Sequence, residues 1–71
     1  MIITPIQTEK LFKNNLTFSL LSFSMLVTRL KVIYENDSSQ EKLENCANEI
    51  NAFLKKYGSI MEKDCIDISK L

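Results

Sequence analysis

The 71-residue sequence contains no histidine and no tryptophan, and it has only one glycine, one proline and two cysteines. Without histidine, the chain lacks the side chain that most often transfers protons near neutral pH and a frequent ligand of zinc, copper and iron. Hydrolytic triads that use histidine as the base are excluded for the same reason. We therefore predict that the chain is not an enzyme and that it binds no cofactor and no metal.

The two cysteines, Cys46 and Cys65, do not form a C-x-x-C pair. Because free cysteine is among the residue types most often buried, we interpret both as reduced thiols in an apolar core. A disulfide between two chains stays open as an alternative, whereas one straight helix that carries both cysteines cannot join them. With the many lysine, asparagine and isoleucine residues expected of an AT-rich genome, the unpaired thiols favour a bacterial cytoplasmic protein.

Charge argues against a nucleic-acid partner, and hydropathy argues against a helix that spans a membrane. Nine basic residues balance nine acidic ones, so the chain offers no net positive field to a nucleic acid. The longest uncharged stretch, Asn14 to Thr28, would rise only about 22 Å as a helix, against a hydrocarbon core of about 30 Å. We predict a buried helix there. The acidic cluster near the C-terminus predicts a solvated surface, with weak cation binding left open; it consists of Glu62, Asp64 and Asp67.

Two capping signals divide the chain into two helices. The segment Thr4-Pro5-Ile6-Gln7 is typical of a capping box with proline at the first helical position, and no glycine or proline follows before the turn-forming cluster Asn36-Asp37-Ser38. A first helix is predicted over about residues 5–35. The spacing Ser38-x-x-Glu41 indicates the start of a second helix over about 39–70.

Apolar residues at alternating spacings of three and four predict a seam between these two helices, which makes a single antiparallel helical hairpin domain over residues 1–71. The predicted intrachain seam comprises Leu16, Leu20, Phe23, Val27, Leu30 and Tyr34 on the first helix, and Leu43, Cys46, Ala47, Ile50, Phe53, Leu54 and Tyr57 on the second.

At Gly58, the only glycine, two interpretations stay open. The second helix either ends there in a left-handed cap or continues with a bend, since the apolar stripe keeps its phase beyond this residue.

A second apolar line lies on another side of the predicted first helix, where the partner helix of the hairpin cannot cover it. Small domains of this length have little core of their own, so association with a second copy is expected. We predict a homodimer in which two hairpins form a four-helix bundle. The predicted self-association residues are Leu11, Phe18, Leu21, Met25 and Val32.

The function predicted from these features is a non-enzymatic protein–protein interaction module, such as an adaptor, regulator or inhibitor, with a protein partner of unknown identity. One alternative is a membrane-surface protein that inserts the region of Leu16–Val27. The other alternative is a small regulatory phosphatase that acts on a phosphorylated response regulator. It follows from Cys46–Asn51, which resembles the S-Q-E-L-D signature of small helical-hairpin phosphatases with this activity. Of that signature only Glu49 is retained, because Ala47, Asn48 and Asn51 replace its Ser, Gln and Asp. The predicted outline also resembles plasmid-encoded RNA-binding hairpin dimers, although the neutral charge argues against RNA.

Overall fold

A computed structural model describes residues 2–14, 18 and 20–64, with side chains up to Tyr57. Within these residues all regular structure is helical. There are three helices: α1 over Pro5–Lys13, α2 over Leu21–Asn36 and α3 over Gln40–Asp64. The prediction of an all-α chain is confirmed, while the number of helices differs from the two expected.

Helix α1 begins as its sequence predicts. The Thr4 hydroxyl accepts a hydrogen bond from the Gln7 backbone N–H at 3.1 Å, and the Gln7 side-chain oxygen accepts one from the Thr4 N–H at 3.0 Å. This reciprocal capping box, with Pro5 at the first helical position, satisfies two backbone donors that the helix leaves without an internal partner.

The predicted continuous helix over about 5–35 is wrong. Helix α1 ends at Lys13, and Asn14 is extended, with φ −94° and ψ 135°. In the sequence, Asn14 opens a stretch rich in Asn, Thr and Ser, residues whose side chains compete for backbone hydrogen bonds and so disfavour the helix interior. The interruption allows α1 to contact both α2 and α3 instead of extending away from them.

Helix α3 begins one residue later than the predicted Ser38 cap implies. The hydroxyl of Ser39, rather than that of Ser38, accepts from the backbone N–H of Lys42 at 3.2 Å. Ser38 instead donates its hydroxyl hydrogen bond to the Tyr34 carbonyl at 3.1 Å, which closes the end of α2. The turn between α2 and α3 is therefore held by both serines, each with a different role.

Near Gly58, the structure agrees with the bend and not with a terminating cap. Tyr57 leaves helical geometry, with φ −121° and ψ 17°, and the helix continues through Gly58 to Asp64. The bend thus lies one residue before the glycine. The part of the predicted helix beyond Asp64 is outside the described residues.

The core lies where the three helices meet and also includes Ile3, which precedes α1. Phe23 of α2 and Ile50 of α3 are fully buried at its centre. The one buried polar side chain among the described residues, Thr8, donates its hydroxyl to the Thr4 carbonyl at 2.9 Å. Since α1 is a separate helix that completes this core, a four-helix bundle built from two-helix hairpins is not confirmed. The buried hydrophobic residues are Ile3, Leu11, Phe12, Phe23, Val27, Leu30, Leu43, Cys46, Ala47, Ile50 and Leu54.

Candidate interaction surface

Helix α2 carries large apolar side chains on the side that faces away from the core. Leu21, Met25 and Val32 are 70%, 64% and 51% exposed. At 100° per residue, these three positions project within about 40° of one another and opposite the buried Phe23. We call Leu21, Met25 and Val32 the outer stripe. It contains three of the five residues predicted to mediate self-association.

The other two predicted self-association residues lie within the chain's own fold. Leu11 is 2% exposed and belongs to the core, so its assignment to a contact between copies is corrected. Phe18 is half-buried and packs edge-on against Phe23, with ring centroids 4.9 Å apart. Leu11 belongs to the core because the chain is interrupted after Lys13. The interruption redirects α1, so Leu11 no longer lies in line with Met25 and Val32.

Most residues of the predicted intrachain seam lie in or against the core. Leu16 is outside the described residues. Leu20, Tyr34 and Phe53 are partly buried and pack against the core, and Tyr57 is half-buried beside Phe53, with ring centroids 4.7 Å apart. The fully buried members are Phe23, Val27, Leu30, Leu43, Cys46, Ala47, Ile50 and Leu54.

A groove runs between α2 and α3 and was not foreseen from the sequence. Two open depressions of about 450 and 380 Å³ adjoin one another and share Leu26, Arg29 and Phe53 in their walls. A third depression of about 180 Å³ continues past Glu49. We call the three together the outer groove. Its further lining residues are Ser22, Met25, Ala52, Lys56 and Tyr57 in the first two depressions, and Leu30, Ile33, Lys42, Asn45 and Cys46 in the third.

Charged side chains in the walls of the outer groove are three cations, Arg29, Lys42 and Lys56, and one anion, Glu49. Arg29 and Glu49 face each other across the groove with Nη2 and Oε2 3.7 Å apart. Both side chains are more than half exposed, so this ion pair contributes little to stability. On α3 the three charges are spaced by seven residues, and this spacing is the sequence signal that could have indicated a common face.

Aromatic packing fixes the wall of the groove at the Tyr57 end. Phe53 stands between Phe23 of the core and Tyr57, at centroid distances of 5.4 and 4.7 Å. The Lys56 ammonium lies 5.3 Å from the centroid of the Tyr57 ring, within reach of a cation–π interaction. The groove therefore has an aromatic wall that is continuous with the core, beside an exposed cation.

Cys46 contributes to the third depression as a buried thiol. Its Sγ lies 3.8 Å from the Leu30 carbonyl oxygen, to which it donates a weak hydrogen bond. Burial raises the pKa of the Cys46 thiol, with the nearby Glu49 carboxylate acting in the same direction. A thiol in this state is a poor nucleophile at neutral pH, because the reactive form is the thiolate.

The residues behind the two alternative functions, the phosphatase and the membrane-surface protein, have other contacts in the structure. Glu49, the residue shared with the phosphatase signature, is the ion-pair partner of Arg29. Phe23 and Val27, from the segment considered for membrane insertion, are buried in the core. Over the described part of the chain, no helix combines the length and apolar character that crossing a bilayer requires. The side chains of Glu62, Asp64 and Asp67 lie outside the described residues.

Comparison of the chain with protein-family models, with curated proteins and with solved structures gave no match. The outer stripe of α2 and the outer groove between α2 and α3 are therefore the two surfaces from which a function can be inferred.

Proposed function

We propose that this chain is a non-enzymatic helical protein–protein interaction module that pairs with a second copy through the outer stripe of α2. The observation that carries the proposal is the exposure of Leu21, Met25 and Val32 on one side of a helix whose opposite side is fully buried. Large apolar side chains that share one exposed helix face are typical of a contact surface, whereas isolated ones are common on any protein.

The spacing of the outer stripe supports helix–helix pairing. With Thr28, its residues follow the intervals four, three and four along α2, which is the a/d pattern of a coiled coil. In that register Val32 and Met25 occupy a positions and Leu21 a d position. Val32 at a and Leu21 at d are the residue types that favour parallel two-stranded pairing, whereas Met25 at a and Thr28 at d are neutral in this respect.

Charges at the g and e positions beside the stripe are compatible with a parallel pair. The g position Ser24 would lie opposite the e position Arg29 of the second copy, and Lys31 would lie opposite Asn36. Neither contact brings like charges together, but Glu35, at the next d position, would meet the Glu35 of the second copy near the exposed end of α2. No pair of opposite charges adds attraction, so the affinity depends on the apolar stripe.

The expected affinity is modest. Complete burial of a Leu, Val or Met side chain contributes about 1.5–3 kcal/mol, and association costs at least about 4 kcal/mol in lost translational and rotational freedom. The pair holds six such side chains, about six-tenths exposed on average, and their burial exceeds that cost by at most about 7 kcal/mol. A dissociation constant between about 10 µM and 1 mM is therefore expected.

Sedimentation equilibrium across that concentration range tests the proposal. The chain should shift from its monomer mass of 8.2 kDa toward twice that value as concentration rises. Met25→Glu should keep the protein monomeric, because a carboxylate in the stripe would be desolvated without a partner. Asn48→Glu adds the same charge at an exposed site on α3 and should leave pairing intact.

Circular dichroism on both variants separates loss of pairing from loss of folding. A folded wild-type chain that stays at monomer mass throughout the range would overturn pairing through the stripe. Equal dissociation by both glutamate variants would also overturn it.

A further inference from the structure

We infer that the outer groove binds an amphipathic helix that carries acidic residues near both ends and belongs to a different protein. The inference rests on the proposed role as an interaction module, but the outer groove shares only Met25 with the stripe proposed for self-pairing. Its basis is the shape of the groove and the charges along the groove walls.

The groove has the dimensions of a short helix. Its lining residues ascend along α2 from Ser22 to Ile33 while they descend along α3 from Tyr57 to Lys42, so the two walls are antiparallel. The α3 wall from Lys42 to Lys56 contains fifteen residues and rises about 21 Å along the helix. A partner helix of about fourteen residues would match this length and could place apolar side chains against Leu26 and Phe53.

The charges of the groove indicate which side chains the ends of the partner helix should carry. Lys42 and Lys56 lie toward opposite ends of the groove, and Glu49 lies between them, facing Arg29 at 3.7 Å. Because the central anion already has a cationic neighbour, the groove presents positive charge at its two ends. Glutamate or aspartate at both ends of the partner would complement it, and complementary charge mainly sets specificity and association rate.

A second copy of this chain meets the requirement poorly. The apolar stripe that a second copy could offer, on α2, is flanked by the cations Arg29 and Lys31 and is followed by a single anion, Glu35. Seating that helix in the groove could bring Glu35 toward only one of Lys42 and Lys56, and it would add cations along the rest of the groove. The observations therefore favour a different protein as the source of the helix.

The test uses two synthetic amphipathic peptides of about sixteen residues with the same apolar stripe. One has glutamates near both ends, and the other has lysines at those positions. Fluorescence anisotropy measures binding to the full chain, at protein concentrations where sedimentation shows a monomer. We expect the acidic peptide to bind at least about tenfold more tightly than the basic one, with a difference that shrinks at high salt.

Charge reversal on the protein provides the matched control. The double variant Lys42→Glu and Lys56→Glu should lose at least about tenfold in affinity for the acidic peptide and should gain affinity for the basic one. The double variant Lys10→Glu and Lys55→Glu makes the same change in net charge at exposed sites outside the groove, and it should bind like the wild type. Circular dichroism confirms that both variants fold.

Three results would overturn the inference: no binding of the acidic peptide, equal binding of both peptides, or equal losses in the two double variants. Binding of the acidic peptide that is lost wherever the chain dimerises and restored by Leu21→Glu, a stripe substitution outside the groove, would assign the groove to the second copy and would also overturn the inference. The outcome is separable from self-pairing, because a chain that stays monomeric can still bind the acidic peptide, and a chain that dimerises can fail to bind it.

Discussion

Asn51 of α3 forms two hydrogen bonds with the backbone of Ile3, 48 positions away in the sequence. The Ile3 N–H donates to Asn51 Oδ1 at 2.7 Å, and Asn51 Nδ2 donates to the Ile3 carbonyl oxygen at 2.9 Å. Ile3 itself is 1% exposed. The carboxamide therefore fastens the residues before α1 to α3 and satisfies a backbone donor and acceptor beside the core.

Replacing Asn51 with alanine should destabilise the fold. Both Ile3 backbone groups would lose their partner, and a buried unsatisfied group costs about 1–3 kcal/mol. We expect the free energy of unfolding, measured by urea denaturation, to fall by about that amount. Asn48→Ala, at an exposed site one turn earlier on α3, should change it by less than about 0.5 kcal/mol. Equal effects of the two substitutions would contradict the stabilising role of the two hydrogen bonds between Asn51 and Ile3.

How far the fold could be predicted depends on whether a feature is local. The capping box at Thr4 follows from residues within a few positions of each other, and the structure has it. At Gly58 the local sequence leaves a cap and a bend open, and the structure has the bend. The interruption after Lys13 was missed because the absence of glycine and proline was interpreted as continuity. The stretch rich in Asn, Thr and Ser from Asn14 is a local signal for the interruption, and long-range contacts add to it: α1 buries Leu11 and Asn51 holds Ile3, and no periodicity within one helix encodes those contacts.

The candidate surfaces also divide into features that are local in the sequence and features that depend on how two helices pack. The exposed apolar positions Met25 and Val32 can be found on a helical wheel once helix α2 is assumed. The outer groove is built from two helices whose relative register decides which side chains face each other. The pairing of Arg29 with Glu49 depends on that register, so the sequence spacing alone could not predict it.

The corrected position of Leu11 is tested by comparison with Leu21, a leucine in a different environment. Leu11 is 2% exposed and Leu21 is 70% exposed. Leu11→Ala removes buried methyl groups and should lower the free energy of unfolding by about 2–5 kcal/mol. Leu21→Ala should change it by less than about 0.5 kcal/mol in dilute solution, where the chain is monomeric. Urea denaturation measures both, and a comparable loss in the two variants would place Leu11 outside the core.

Cys46 should be protected from thiol reagents in the folded chain. Its side chain is 2% exposed, and burial raises the pKa of its thiol, so little thiolate is accessible at neutral pH. In a Cys65→Ser background, we expect the reaction with a chromogenic disulfide to be at least about tenfold slower under native conditions than in concentrated urea. The further substitution Leu54→Ala, which weakens the core, should raise the native rate. Equal rates in buffer and in urea would show that the thiol is accessible.

The hydrogen bond between Tyr34 and Glu9 should make stability depend on pH at both extremes. Tyr34 Oη donates to Glu9 Oε2 at 2.8 Å, and Lys13 Nζ donates to Glu9 Oε1 at 3.2 Å. The Tyr34 bond, followed by Lys13, lowers the pKa of Glu9, and the same bond to Glu9 raises the pKa of Tyr34. A lowered carboxyl pKa stabilises the fold above the usual value of about 4.3, and this contribution is lost as pH falls through the folded-state pKa. The raised pKa of Tyr34 stabilises the fold below about pH 10, and this contribution is lost as pH rises through the folded-state pKa of Tyr34.

Tyr34→Phe should therefore lower the free energy of unfolding most between about pH 5 and 9, and progressively less outside that window. The ring itself is retained and can still pack against Phe12, whose centroid lies 5.8 Å away. The measurement is the free energy of unfolding of both chains from acid to alkaline pH, together with the pKa of Glu9 by NMR, which should rise in the variant. Tyr57→Phe removes a hydroxyl from the aromatic wall of the outer groove and should leave the pKa of Glu9 unchanged. A constant difference between wild type and Tyr34→Phe at every pH would mean that the hydroxyl acts without the Glu9 charge.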